Sequence, residues 1–141
     1  DLEDDLNFNY IENKLTPGLE YEVLDGIKLK GEPEWIIFTA RSDLYQEYDY
    51  NQIAFGLSLD VSKSTKLWLS LEDKFGKRDY PSDENPFYTD YYLNQASLFL
   101  DGELGSHLGF NLMLSIDSEW HKSKGDNLTV SLFTSELIYS F

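Results

Sequence analysis

His107-Leu108-Gly109-Phe110-Asn111-Leu112-Met113-Leu114-Ser115-Ile116-Asp117-Ser118-Glu119-Trp120 alternates from its first residue to its last. Leu108, Phe110, Leu112, Leu114, Ile116 and Trp120 share one side with Ser118, while Gly109, Asn111, Met113, Ser115, Asp117 and Glu119 take the other. Successive side chains of a β-strand point to opposite faces, so this period describes a strand with one apolar and one polar face. The period recurs along the chain. Ile53, Phe55, Leu57, Leu59 and Val61 oppose Gln52, Ala54, Gly56, Ser58 and Asp60. Leu67, Leu69 and Leu71 oppose Lys66, Trp68, Ser70, Glu72 and Lys74. Leu19, Tyr21, Val23, Ile27 and Leu29 oppose Glu20, Glu22, Lys28 and Lys30, and Leu6, Phe8 and Tyr10 oppose Asn7 and Asn9. Helical periodicity is nearly absent.

Eight strands follow, over about 4–14, 18–30, 34–46, 50–62, 65–77, 89–101, 106–122 and 127–141. Around 91–100 both faces are apolar, and in the last strand Val130, Leu132 and Ile138 share a face with Glu136. These strands are two to three times the usual length of about 5–6 residues, whereas a tilted membrane strand needs about 9–11 residues within the hydrocarbon. Short turns are expected at Gly31-Glu32-Pro33, Ser62-Lys63-Ser64 and Gly102-Glu103-Leu104-Gly105. The other connections fall at Thr16-Pro17-Gly18, at 45–49, at 77–89 with Pro81 and Pro86, and at 124–127. Short turns alternating with longer loops are the habit of an up-and-down barrel. The fold class expected is therefore all-β: an eight-stranded antiparallel up-and-down transmembrane β-barrel, one domain over 1–141, with strand one pairing with strand eight and both termini at the short-turn end.

Composition narrows the function classes. A formal net charge of -15 opposes nucleic acid, whose phosphates this surface would repel. Without cysteine there is no thiolate metal site or nucleophile, and two histidines make a transition-metal centre improbable. No metal or cofactor is expected. Mean hydropathy is -0.43 and no apolar run is long enough for a membrane helix, but alternating strands cancel in any hydropathy window. The chain starts in an acidic stretch at Asp1, as expected of a protein whose signal peptide has been removed.

The apolar face could meet lipid outside or a ligand inside, as in a soluble lipocalin-like barrel. Bulky apolar positions on every strand would overfill an eight-stranded interior, which is just wide enough for side chains. The polar face carries both signs of charge. Glu20, Glu22, Asp60, Glu72, Asp117 and Glu119 stand against Lys28, Lys30, Arg41, Lys66 and Lys74, the pairing a plugged lumen needs. Aromatics gather near strand ends, at Trp35, Tyr45, Tyr48, Tyr50, Tyr88, Tyr91, Tyr92, Trp120, Tyr139 and Phe141, where interfacial belts place them. Lipid on the outside is the reading these features favour.

The chain ends with Phe133, Ser135, Leu137, Tyr139 and Phe141 in one phase. That ending resembles the terminal strand of bacterial outer-membrane barrels, and the whole chain is similar to the small eight-stranded OmpA/OmpX-like group. The resemblance implies a monomer in the outer membrane of a Gram-negative cell, in contact with lipid and lipopolysaccharide. It also implies that Tyr139 and Phe141 belong to the signal read by the outer-membrane assembly machinery. The role expected is structural or surface-interacting, through acidic, Tyr-rich loops on the cell surface, without enzyme activity.

Two weaker chemistries remain. His121-Lys122-Ser123 resembles the His-x-Ser of the outer-membrane lipid A deacylase, which implies lipid hydrolysis. The comparable region of the last strand, however, holds Thr129 where that family has its orienting Glu. Asp79, Asp83, Glu84 and Asp90 could gather a divalent cation but read first as a solvated acidic loop. A narrow channel is a further alternative.

Overall fold

The computed structural model describes residues 10–40, 48–64, 66–81 and 89–139. They form one all-β sheet: β1 (Tyr10–Leu15), β2 (Leu19–Leu24), β3 (Ile27–Ala40), β4 (Tyr50–Ser64), β5 (Leu67–Asp79), β6 (Tyr91–Leu104), β7 (Leu108–His121) and β8 (Leu128–Tyr139). A short 3-10 turn at Lys124–Asp126 precedes β8. The sheet has eight strands and every ladder is antiparallel, an architecture that accords with a small β-barrel fold. From β3 onward each strand pairs with its successor, the order expected of an up-and-down sheet.

The alternation sorts the side chains onto two faces. On the inner face lie Glu34, Gln52, Ala54 and Leu93, all buried. On the outer face Leu15, Leu19, Ile53, Phe55, Phe133 and Leu137 stand exposed, Ile53 at 67%. Cross-strand partners keep the faces in phase: Glu34 lies opposite Ala54, Ala54 opposite Gly76, Gly76 opposite Leu93 and Leu93 opposite Glu119. The glycine in that row permits close approach. A Cβ on Gly76 would sit 2.5 Å from Cβ of Ala54 and 2.7 Å from the carbonyl oxygen of Ile53.

The first two strands depart from the expected plan. Both pair with β3, and β2 continues the register of β1 without a shift: Leu15 opposes Trp35 and Leu19 opposes Gly31. Thr16-Pro17-Gly18 is thus an interruption within one row, and not a hairpin. The reason is chemical. In this register Pro17 falls opposite Pro33, and neither ring can donate to a ladder, so pairing lapses there and resumes beyond. Gly31-Glu32-Pro33, expected as a turn, is the middle of β3. The reversal comes instead at Asp25-Gly26, where Gly26 takes a φ of 72° that favours glycine. Its amide donates to Glu22 Oε1 at 3.3 Å and its carbonyl accepts from the Ser62 amide at 2.7 Å.

The strand ends joined by 25–26, 65–66 and 105–107 lie at one end of the sheet, and those joined by the longer 41–49, 80–90 and 122–127 lie at the other. The alternation of short and long connections is as expected. Because β1 and β2 run one way, however, Tyr10 enters at the long-connection end, whereas Tyr139 leaves at the short-turn end. The two edge rows, β1/β2 and β8, therefore run in the same direction. Among the described residues nothing pairs them, so the expected antiparallel pairing of first and last strands is not formed. Leu6, Phe8, Arg41, Tyr45, Asp83, Glu84, Tyr88 and Phe141 lie outside the described residues.

Candidate functional site: the charged interior and its aromatic rim

Glu34 is the centre of the inner face. It is 5% exposed, and its two carboxylate oxygens are held by Lys14 at 2.7 Å and Lys74 at 2.5 Å. The Gln52 side-chain amide adds a third donor at 3.0 Å. Gln52 Oε1 in turn accepts from Arg78 Nε at 2.9 Å and from its Nη2 at 2.7 Å. One carboxylate thus ties β1, β3, β4 and β5 together, and its lone pairs are met as burial requires. No described buried side-chain polar atom lacks a hydrogen-bond partner.

The residues expected to fill the interior divide into groups. Glu20 pairs with Lys28 at 2.8 Å, and Lys30 pairs with Glu32 at 2.9 Å. Asp60, Glu72, Lys74 and Asp117 face a common cavity of about 580 Å³ lined by side chains from β1 through β7. Along its wall Ser97, directly opposite Glu72 in the ladder, donates to that carboxylate at 3.5 Å. The interior is therefore partly hollow toward the short-turn end, and not packed solid. Glu22 serves the Asp25-Gly26 turn, and Lys66 sits exposed in the turn after β4, where its carbonyl accepts from the Glu103 amide at 2.9 Å. Glu119 joins the rim instead.

The rim closes the inner face toward the long-connection end. Tyr10 stacks on Phe38 at 4.9 Å, and Phe38 on Tyr50 at 5.0 Å. The Arg78 guanidinium lies 4.1 Å from the centre of Tyr50 and 5.4 Å from that of Tyr91, contacts that favour a cation over a π face. Tyr80 packs beside Tyr50 and Tyr91, and Tyr91 packs at a tilt against His121 at 4.8 Å. Tyr50 and Tyr91 were expected in an outer belt. Their phase with Gln52 and Leu93 turns them inward. Glu34, Gln52, Lys14 and Arg78, absent from the expected set, are the residues that join rim and interior.

His121 does not face Ser123. Its Nδ1 lies 2.9 Å from Thr89 Oγ1 and its Nε2 lies 3.4 Å from Glu119 Oε2, while its backbone amide donates to Asn127 Oδ1 at 2.9 Å. Ser123 precedes the short 3-10 turn, with its carbonyl accepting from the Asp126 amide at 3.1 Å. Thr129 bonds Ser118 at 3.3 Å on the outer face. Asp79 is paired with Lys77, and Asp90 accepts from the Tyr80 amide at 2.8 Å, so both have local structural work. Among the described residues no group of three or more His, Cys, Asp or Glu is placed to hold a metal ion.

The outer face carries one charged exception among its apolar residues near mid-strand: Asp73, whose carboxylate accepts from the Asn94 amide at 2.6 Å. Beside it runs an apolar groove of about 400 Å³ lined by residues such as Leu57, Leu71, Ala96 and Leu114. Among the described residues no helix is long and apolar enough to cross a membrane, which bears on helices alone. No protein-family model matches the chain, and no curated protein or solved structure matches it.

Proposed function

We propose that this chain is a transmembrane β-barrel protein of the bacterial outer membrane, of the OmpA/OmpX-like kind. Its charged interior is closed at one end by the aromatic rim, and its role is structural or surface-interacting, exercised through the long connections. One observation carries the reading: large apolar side chains such as Leu19, Ile53, Phe55 and Leu137 stand exposed on one face of the sheet, while the buried carboxylate of Glu34 and its ion pairs lie on the other. A water-soluble sheet buries its apolar face; this order is inverted, as hydrocarbon outside and ion pairs inside require. Exposed outer aromatics at both ends add support, with Trp35, Tyr92 and Trp120 toward the long connections and Tyr21 and Tyr139 toward the short turns.

A bilayer also leaves no strand edge unpaired. With β1/β2 and β8 running the same way, closure takes either a parallel pairing between them or an odd number of added antiparallel rows. Lipid, lipopolysaccharide and the outer-membrane assembly machinery are the partners this reading names.

Folding in detergent micelles or lipid vesicles tests it. The expected result is β-type circular dichroism, a heat-sensitive gel shift and protease protection that all require amphiphile. A monodisperse protein with cooperative unfolding in plain buffer would overturn the membrane reading and favour a lipocalin-like one.

A further inference from the structure

The residues around His121 form an arrangement that neither structural support nor surface interaction requires. Thr89 brings a hydroxyl to Nδ1 at 2.9 Å from the segment before β6, and Glu119, two residues before His121 on the same face of β7, brings a carboxylate to Nε2 at 3.4 Å. The first distance is within direct proton-transfer reach, and the second has the looseness of catalytic contacts without substrate. The ring is held in place: it is 12% exposed, Tyr91 packs at a tilt against it, and Asn127 fixes its backbone amide. Tyr91 and Glu119 also line a cavity of about 140 Å³ together with Arg78, Gln52 and Gln95. The cavity borders the His121 ring through Tyr91 and Glu119, and its volume limits an occupant to a short acyl group.

We propose that Thr89, His121 and Glu119 form a hydroxyl–imidazole–carboxylate relay that hydrolyses short-chain carboxylic esters, with Thr89 as the nucleophile. A nucleophile, a base and a group that orients the base, each within reach of the next, define such a site by geometry and not by fold. Glu119 accepts from the Nε2–H of His121, which leaves the Nδ1 lone pair toward the Thr89 hydroxyl. Oγ1 of Thr89 attacks the ester carbonyl carbon while its proton passes to Nδ1. The bond to the alcohol oxygen then breaks, and the alcohol leaves with that proton. Water attacks the resulting Thr89 ester, His121 again taking the proton. The carboxylic acid departs as Oγ1 recovers a proton. Thr89 and His121 touch the reacting atoms, whereas Glu119 is a positioning residue. The site needs only β7 and the residues just before β6 in place, so its test stands or falls apart from the membrane reading.

The experiment uses p-nitrophenyl acetate with the full chain, in whichever medium the folding assays select, followed by peptide mass mapping after rapid acid quench. The expected result is nitrophenol release with one acetyl group on the peptide carrying Thr89. Thr89→Ser should retain turnover. Thr89→Val and His121→Gln should each lose at least ~100-fold, the scale of a lost nucleophile or base. Glu119→Gln should lower kcat with little change in KM. If Thr89→Val folds and hydrolyses at the wild-type rate, or if acetyl groups appear only on lysines, the proposal is wrong. Should Thr89→Val fail to fold, the acetylated position in the wild type and the activity of Thr89→Ser decide the matter.

Discussion

Leu114→Arg is expected to cost about 2–4 kcal/mol of folding stability in a bilayer, the penalty for a cation on the lipid face near the midplane. Leu114 sits at the middle of β7 on the outer face, opposite Leu98 and Phe133, with no carboxylate directly across the ladder to receive the new charge. It is 36% exposed, so in water the same change would cost little, since surface substitutions there usually fall within about 0.5 kcal/mol. The sign reverses at Asp73. There the carboxylate accepts from the Asn94 side-chain amide on the apolar face, and Asp73→Leu should raise stability in lipid by removing a charge from the hydrocarbon. Urea titration of vesicle-folded protein by tryptophan fluorescence measures both. Two near-zero changes would mean that water, and not lipid, bathes this face.

The alternation that makes Leu114 an outer residue was plain in the sequence, because a strand's period is fixed by covalent geometry. The failures came from punctuation. Gly31 and Pro33 have the composition of a turn, yet Ile27, Leu29, Trp35 and Ile37 keep their phase against Lys28, Lys30, Glu32 and Glu34 straight through them. Following that phase would have placed Glu34 with the lysines. Conversely Asp25-Gly26, the dipeptide that best marks a hairpin, lies inside the strand expected over 18–30. Eight strands is the number found, but one reversal at Asp25-Gly26 replaces the two expected at Thr16-Pro17-Gly18 and Gly31-Glu32-Pro33, so the first row runs opposite to the direction expected. Tyr50 and Tyr91 could have been read as inward from their phase with Gln52 and Leu93. Their sharing of Arg78 could not, because contacts across rows depend on register, which alternation within one strand does not specify. The same holds for Thr89 beside His121, where two connections meet at one end of the sheet.

Glu34→Ala is expected to destabilise the folded chain by about 3 kcal/mol. Breaking a buried ion pair usually costs about 3–5 kcal/mol, because the partner is left charged and unpaired. The lower end applies here: Lys14 is 49% exposed and can swing toward water, while Lys74 is 28% exposed and has less room to do so. The loss also orphans the Gln52 amide, and through Gln52 it loosens Arg78 between Tyr50 and Tyr91, so the rim should soften together with the interior. Glu34→Gln should fall between the unchanged protein and Glu34→Ala, since it removes both ion pairs but leaves an oxygen to accept from Gln52. Combining Glu34→Met with Lys74→Met should recover much of the loss, because replacing a buried pair by apolar side chains is often neutral. Chemical denaturation of the four proteins, followed by the fluorescence of Trp68 and the other tryptophans, separates these cases. If Glu34→Ala shifts stability by less than about 0.5 kcal/mol, the interior is held by packing alone, and the ion pairs that join β1, β3 and β5 are bystanders.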